Sequence, residues 1–217
     1  MLKSQDILIC LKLCSLHLHD TKLKQGHRPA SAALLSASAG WEADPIETAQ
    51  HELSGDLSQQ SQLEWTYATL SKRLGLSASE CNEGVKRALT CGLLRKSRIG
   101  TRPLPAGKAL IEFLVHGLKY VYPGQEGTLA RGIPTGFAAP VLSSQLHSAG
   151  EHIYVWPDAR GATTGLALQP IHKSVQIAVR YDVILYELLA MIDAIRFGKL
   201  REAKMASELL TKELENL

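Results

Sequence analysis

Apolar residues return every three or four positions through most of this chain, and each such run marks an expected helix. Ile7, Leu8, Leu11, Cys14 and Leu18 make the first stripe, with Lys3, Lys12 and Ser15 off it, so Ser4 to about Leu18 reads as a helix. Tyr67, Leu70 and Leu74 share one face of a shorter helix that Thr66 caps and Gly75 ends. Ser77 and Glu80 then stand three residues apart, the spacing at which each side chain satisfies a free backbone N–H at a helix start. The helix they open runs to about Cys91, and Gly92 stops it. Within it Cys81, Val85, Ala88 and Leu89 turn inward, leaving Ser79, Asn82, Glu83, Lys86, Arg87 and Thr90 on the outer face.

Residues 93–104 read as two short strands joined by a basic, glycine-containing turn, with Arg95, Lys96, Arg98 and Arg102 in or beside it. After Pro105, the residues Ala109, Leu110, Phe113 and Leu114 mark a helix ending near Gly117, and Lys119 to Pro123 looks extended. Gly124 to Val141 has glycine, proline and no helical period, so it is expected to be a loop. His152 to Trp156 reads as a strand, with Thr163 to Leu168 as its partner across the Asp158–Gly161 turn, and Tyr154 and Trp156 face a small core. Two helices follow: Ile184, Leu185, Leu188, Leu189, Ile192 and Ile195 make a broad apolar face, and Leu200, Ala203, Leu210, Leu214 and Leu217 make another.

Between the first two helices the period fades. Residues 20–62 are largely Ser, Ala, Gln, Gly and acid, a low-complexity insertion in which Pro45 to Leu53 fits a short helix and Trp41, Ile46 and Leu53 offer docking groups. The expected organisation is therefore mostly α with small β elements (α+β): residues 1–120 with the insertion 20–62, then a region 121–217 with a short β element and a helical pair.

Charge changes the picture more by its placement than by its total of +3. Residues 1–69 carry 5 basic and 8 acidic side chains, residues 70–108 carry 9 and 2, and residues 109–217 carry 10 and 11. The net values are −3, +7 and −1, so the positive charge sits on the two capped helices and the hairpin. A concentration of this kind displaces counterions from a polyphosphate backbone. The four cysteines, Cys10, Cys14, Cys81 and Cys91, lie on helix faces without disulfide or zinc-ribbon spacing, which points to a reducing, cytoplasmic setting. No run approaches the length of a membrane span, so no membrane partner is expected.

TYATLSKRLGLSASECNEGVKRALTCGLLRKS and the basic hairpin after it resemble the winged helix-turn-helix domain of MarR-type bacterial transcriptional regulators. The resemblance covers under half of the chain. It implies a fold in which the 77–91 helix enters the major groove of double-stranded DNA and the 95–104 wing lies on flanking backbone. Ser79, Asn82, Glu83 and Lys86, with Thr90 on the same face, are then the candidate base readers, since Asn pairs with adenine, Lys with guanine, and Glu accepts from cytosine. Lys72, Arg87, Arg95, Lys96, Arg98 and Arg102 are the candidate phosphate contacts. Such readers act as two-fold dimers, and the apolar faces of the last two helices are the candidate clamp. The rival expectations are a winged helix that docks a protein from its own operon, as in a defence or toxin–antitoxin system, and a non-specific nucleic-acid binder.

Other chemistry is thinly represented. Cys10, Cys14 and His17 stand at i, i+4 and i+7 with His19 nearby, but cysteine behaves as a small hydrophobe on such a stripe, so no metal site is expected. Arg131, Gly132 and Thr135 offer an Arg fork and loop N–H groups that suit a phosphate or carboxylate ligand. Asp182, Glu187 and Asp193 lie on one helix and read as surface charges rather than an acid–base pair. With no zinc-protease, phosphate-loop or nucleophile-elbow motif present, neither an enzyme nor a cofactor is expected.

Overall fold

The computed structural model of the chain describes residues 1–25, 65–143, 153–180, 182–215 and 217, and has a mixed α+β architecture. The first helix, α1 (Ser4–Lys24), is core rather than cover: Ile7 through Leu13 are at most 4% exposed. Its polar residues explain how a helix with Lys12 and Ser15 off the apolar stripe can be enclosed. Both are buried against Asp182, which takes the Lys12 ammonium at 2.5 Å and the Ser15 hydroxyl at 2.7 Å. The helix also runs past Leu18, so Asp20 to Lys24 belong to it and not to the low-complexity insertion. The rest of that insertion, including the short helix expected at Pro45 to Leu53, lies outside the described residues.

Local signals set the next elements. In α2 (Tyr67–Leu74) the Thr69 N–H donates to the Thr66 hydroxyl at 3.0 Å, and Gly75, at φ +62°, ends the helix in the left-handed region. In α3 (Ala78–Thr90) the Glu80 N–H donates to Ser77 Oγ at 3.1 Å while the Ser77 N–H donates to the Glu80 carboxylate at 2.8 Å. The hairpin β1 (Leu94–Arg95) and β2 (Leu104–Pro105) pairs Leu94 with Pro105 and Arg95 with Leu104. Next, α4 (Gly107–Glu112) passes through a π-helical turn (Phe113–Gly117) into α5 (Leu118–Val121), so helix replaces much of the extended stretch expected after Gly117.

The stretch expected to be a loop is instead the longest strand, β3 (Glu126–Thr135). It pairs antiparallel with β4 (Tyr154–Pro157) and with β5 (Thr163–Leu168), and β4 and β5 pair in parallel, so three strands close on one another. The glycines that look like loop signals make the closure possible. A Cβ at Gly132 would overlap the Trp156 carbonyl, and one at Gly161 would overlap the Gly132 backbone.

After α6 (Pro140–Ser143) and α7 (Val175–Ala178), the helix α8 (Val183–Phe197) runs through the centre of the molecule. It packs on α9 (Leu200–Leu214), on α1 and on the strands. The apolar face expected to clamp a dimer is thereby covered within one chain: Leu185, Leu188, Leu189, Leu210 and Leu214 are at most 1% exposed. Asp182 and Asp193 are not surface charges either. Asp182 caps α8 by accepting the Leu185 N–H at 2.9 Å. Asp193, 2% exposed, accepts the Trp156 indole N–H at 2.6 Å, the Thr135 hydroxyl at 3.0 Å and the Arg196 guanidinium at 2.6 Å. One hydrophobic cluster runs from α1 to α9, with residues from both sides of position 120. No helix among the described residues is long and apolar enough to cross a membrane.

Candidate nucleic-acid interface

The position of α3 is fixed by what lies behind it. Gly84 faces α1 so closely that a Cβ there would stand 2.5 Å from Ile9 Cδ1 and 2.9 Å from Asp6 Oδ1. Beside it Arg87 donates Nε and Nη2 to the two oxygens of Asp6 at 2.8 and 2.7 Å, a bidentate pair whose carboxylate is wholly buried. This corrects the expectation that Arg87 lies on the outer face to hold phosphate. Its side chain is 23% exposed and serves the contact between α1 and α3.

The outer face of α3 carries the remaining expected readers. Ser79, Glu83, Lys86 and Thr90 are exposed and Asn82 is half-buried, and their spacing keeps them along one side of the helix. Glu83 accepts the Lys86 ammonium at 2.8 Å, with 52% and 60% of their side chains exposed. The Lys86 hydrogen bond and charge hold the Glu83 carboxyl below its ordinary range. An exposed pair of this kind adds little to stability, so both groups are available to exchange partners. The Thr90 hydroxyl donates back to the Lys86 carbonyl at 2.9 Å.

The hairpin beyond α3 is shaped by Ser97, whose hydroxyl accepts the Ile99 and Gly100 N–H groups at 3.3 and 3.0 Å. Arg95, Lys96 and Arg98 are exposed on it, and Lys72 is exposed on α2. Arg102 departs from this set. It pairs with Asp20 at 2.5 Å with about a fifth of each side chain exposed, which fastens the root of the hairpin to α1. Of the nine cations between residues 70 and 108, the structure therefore commits Arg87 and Arg102 to internal carboxylates, half-buries Arg73, and leaves Lys72, Lys86, Arg95, Lys96, Arg98 and Lys108 on the surface.

The expected anion cradle does not form. Arg131 donates its Nε–H to the Gly161 carbonyl, Gly132 sits in β3 opposite both Pro157 and Thr163, and the buried Thr135 hydroxyl is bonded to Asp193. Residues read as a loop around a ligand are a strand inside a closed sheet. Cys10 and Cys14 are fully buried, and burial raises both thiols above their ordinary values. No group of three or more His, Cys, Asp or Glu among the described residues is placed to hold a metal ion. His17, His19 and His172 are held below the ordinary imidazole value, first by burial.

Sequence reasoning missed the carboxylates that position this surface, Asp6 and Asp20. Asp6 gave one signal, an acid set directly before Ile7-Leu8-Ile9 in a run that ends up buried. Neither a protein-family model, nor a curated protein, nor a solved structure matches this chain.

Proposed function

We propose that the chain is a sequence-specific DNA-binding transcriptional regulator of winged-helix type, acting in the cytoplasm. In this reading α3 lies in the major groove of double-stranded DNA and the β1–β2 hairpin lies along flanking backbone. The observation that carries it is the contiguity of a polar helix face, Ser79, Asn82, Glu83 and Lys86, with exposed cations on the hairpin and α2, in the one part of the chain with a large positive balance. The internal pairs add support, because Asp6–Arg87 and Arg102–Asp20 fasten the helix and the hairpin to the same helix α1, as a preformed surface requires. Two-fold pairing on a palindromic site falls, in this reading, to surfaces other than α8 and α9, and is made on the DNA rather than by the free chain.

Selection of duplexes from a random pool tests the reading. The wild type enriches a defined sequence, Asn82→Ala loses about 1–3 kcal/mol of discrimination at one base pair, and Lys96→Ala weakens all sequences alike. A pool without an enriched sequence, bound equally well by both variants, removes α3 as a reader and leaves a sequence-independent binder.

A further inference from the structure

The exposed cations assigned to this surface so far all come from residues 70–108. A further one is brought to the same surface from far along the chain. The segment 171–180, which follows β5 and contains α7, is fastened to the turn between α2 and α3. The Ser174 hydroxyl donates to the Gly75 carbonyl at 3.4 Å, and Ile177 covers Gly75 so closely that a Cβ there would meet Ile177 Cδ1 at 3.1 Å. Packing of α7 on α2 completes the attachment.

The segment is also internally braced. The Ser174 N–H donates to His172 Nδ1 at 3.2 Å and the Val175 N–H to the His172 carbonyl at 3.0 Å, a tight turn that leaves Lys173 exposed at its apex. His172 and Lys173 lie within electrostatic reach of Glu80, in the first turn of α3.

We infer that this turn is a second backbone clamp, in which Lys173 contacts a phosphate of duplex DNA at the N-terminal end of α3. The inference rests on the reading of α3 as a groove-binding helix. The hairpin leaves from the C-terminal end of α3, and at 1.5 Å per residue its 13 residues place the two ends roughly 20 Å apart. A helix lying in the major groove has a phosphate backbone on either side of it, so cations at both ends engage backbone that the hairpin alone does not reach. Glu80 gives the arrangement a second use. Its carboxylate, whose pKa the Ser77 hydrogen bonds lower, opposes phosphate at the end of α3, and Lys173 offsets it.

The test is the salt dependence of binding to a fluorescent duplex of about 30 base pairs, since each phosphate contact contributes about 0.9 to the slope of log affinity against log salt. Lys173→Gln is expected to make the slope shallower by about 0.9 and to weaken every sequence alike, with an unchanged melting temperature because the side chain is exposed. Lys96→Gln on the hairpin is expected to do the same, and Lys204→Gln on α9, where Lys204 pairs with Glu208, to leave the slope as it is. A Lys173→Gln slope equal to that of the wild type beside a shallower Lys96→Gln slope overturns the clamp and leaves the α3 reading standing. Equal losses for Lys173→Gln and Lys204→Gln overturn it as well, because the effect is then one of total charge. If the wild type binds no duplex at low salt, the clamp and the reading beneath it fall together.

Discussion

Lys12 and Asp182 meet at 2.5 Å with 5% and 10% of their side chains exposed, on helices that are far apart in sequence. Burial by itself pushes the Asp182 carboxyl up. The Lys12 charge and hydrogen bond, the Ser15 hydroxyl and the Leu185 N–H together outweigh burial and hold it below its ordinary value. A carboxyl whose folded pKa lies below its unfolded one contributes stability that is complete above the unfolded value, about 3.9, and is lost as the pH falls through the folded one. Asp182→Asn isolates that charge, because Asn caps a helix as well as Asp does and the Leu185 bond survives. It leaves Lys12 buried without its counter-ion, a loss of about 3–5 kcal/mol at pH 7. The variant is then expected to lose less further stability than the wild type between pH 5 and 2, as that range lies across the carboxylate pKa values. Denaturant melts at several pH values check both halves, and a variant as stable as the wild type at pH 7 would show that the pair does not hold α1 to α8.

At the scale of elements, the crossing of α1 and α3 decides where the candidate groove-facing residues stand. Gly84 lies inside α3, where Ala is intrinsically better by about 1 kcal/mol. Gly84→Ala is nonetheless expected to destabilise, because the added methyl would press on Ile9 and on the Asp6 carboxylate, and overpacking of this kind costs about 1–3 kcal/mol. A lowered urea midpoint is the expected result, and a raised one would mean that the two helices separate freely. The same crossing shows which parts of the fold were legible in the sequence. The ends of α2 and α3 were, since Thr66, Gly75, Ser77 and Glu80 act on backbone groups within a few residues of themselves. The polar face of α3 was also legible, but the role of Arg87 was not, because its partner lies 81 residues away and an outward position in the helical period does not reveal a long side chain folding back. The strand β3 was hidden for a related reason. Gly132 and Pro134 are loop signals locally, and only the approach of Trp156 and Thr163, distant in sequence, turns them into strand residues.

For the whole molecule, the decisive fact is that α8 is enclosed by its own chain. Twelve of its fifteen residues are apolar and had to find cover somewhere; from sequence a second copy is the favoured cover, with an intrachain hairpin over the strand that holds Tyr154 and Trp156 as the alternative. The structure supplies it with α1, α9 and the closed sheet, and α9 turns only Ala206, Leu210 and Leu214 fully inward. Its remaining surface carries exposed charge, including Glu213 at the edge of the buried stripe, which reaches Lys22 of α1 at 3.7 Å. The two forms of cover respond differently to concentration. A core within one chain gives a melting temperature that does not change with protein concentration, whereas a shared core gives one that rises with it. Leu210→Glu separates them further. Leu210 is fully buried, so a carboxylate there removes a core side chain and buries a charge, which destabilises by at least about 3 kcal/mol at every concentration. If α9 instead sealed a dimer, the same substitution would yield a folded single chain with its near-ultraviolet signature intact. Melting curves of wild type and variant over a hundredfold concentration range therefore distinguish the two. The enclosed position of α8 leads to the expectation of concentration-independent wild-type curves and a partly or wholly unfolded variant.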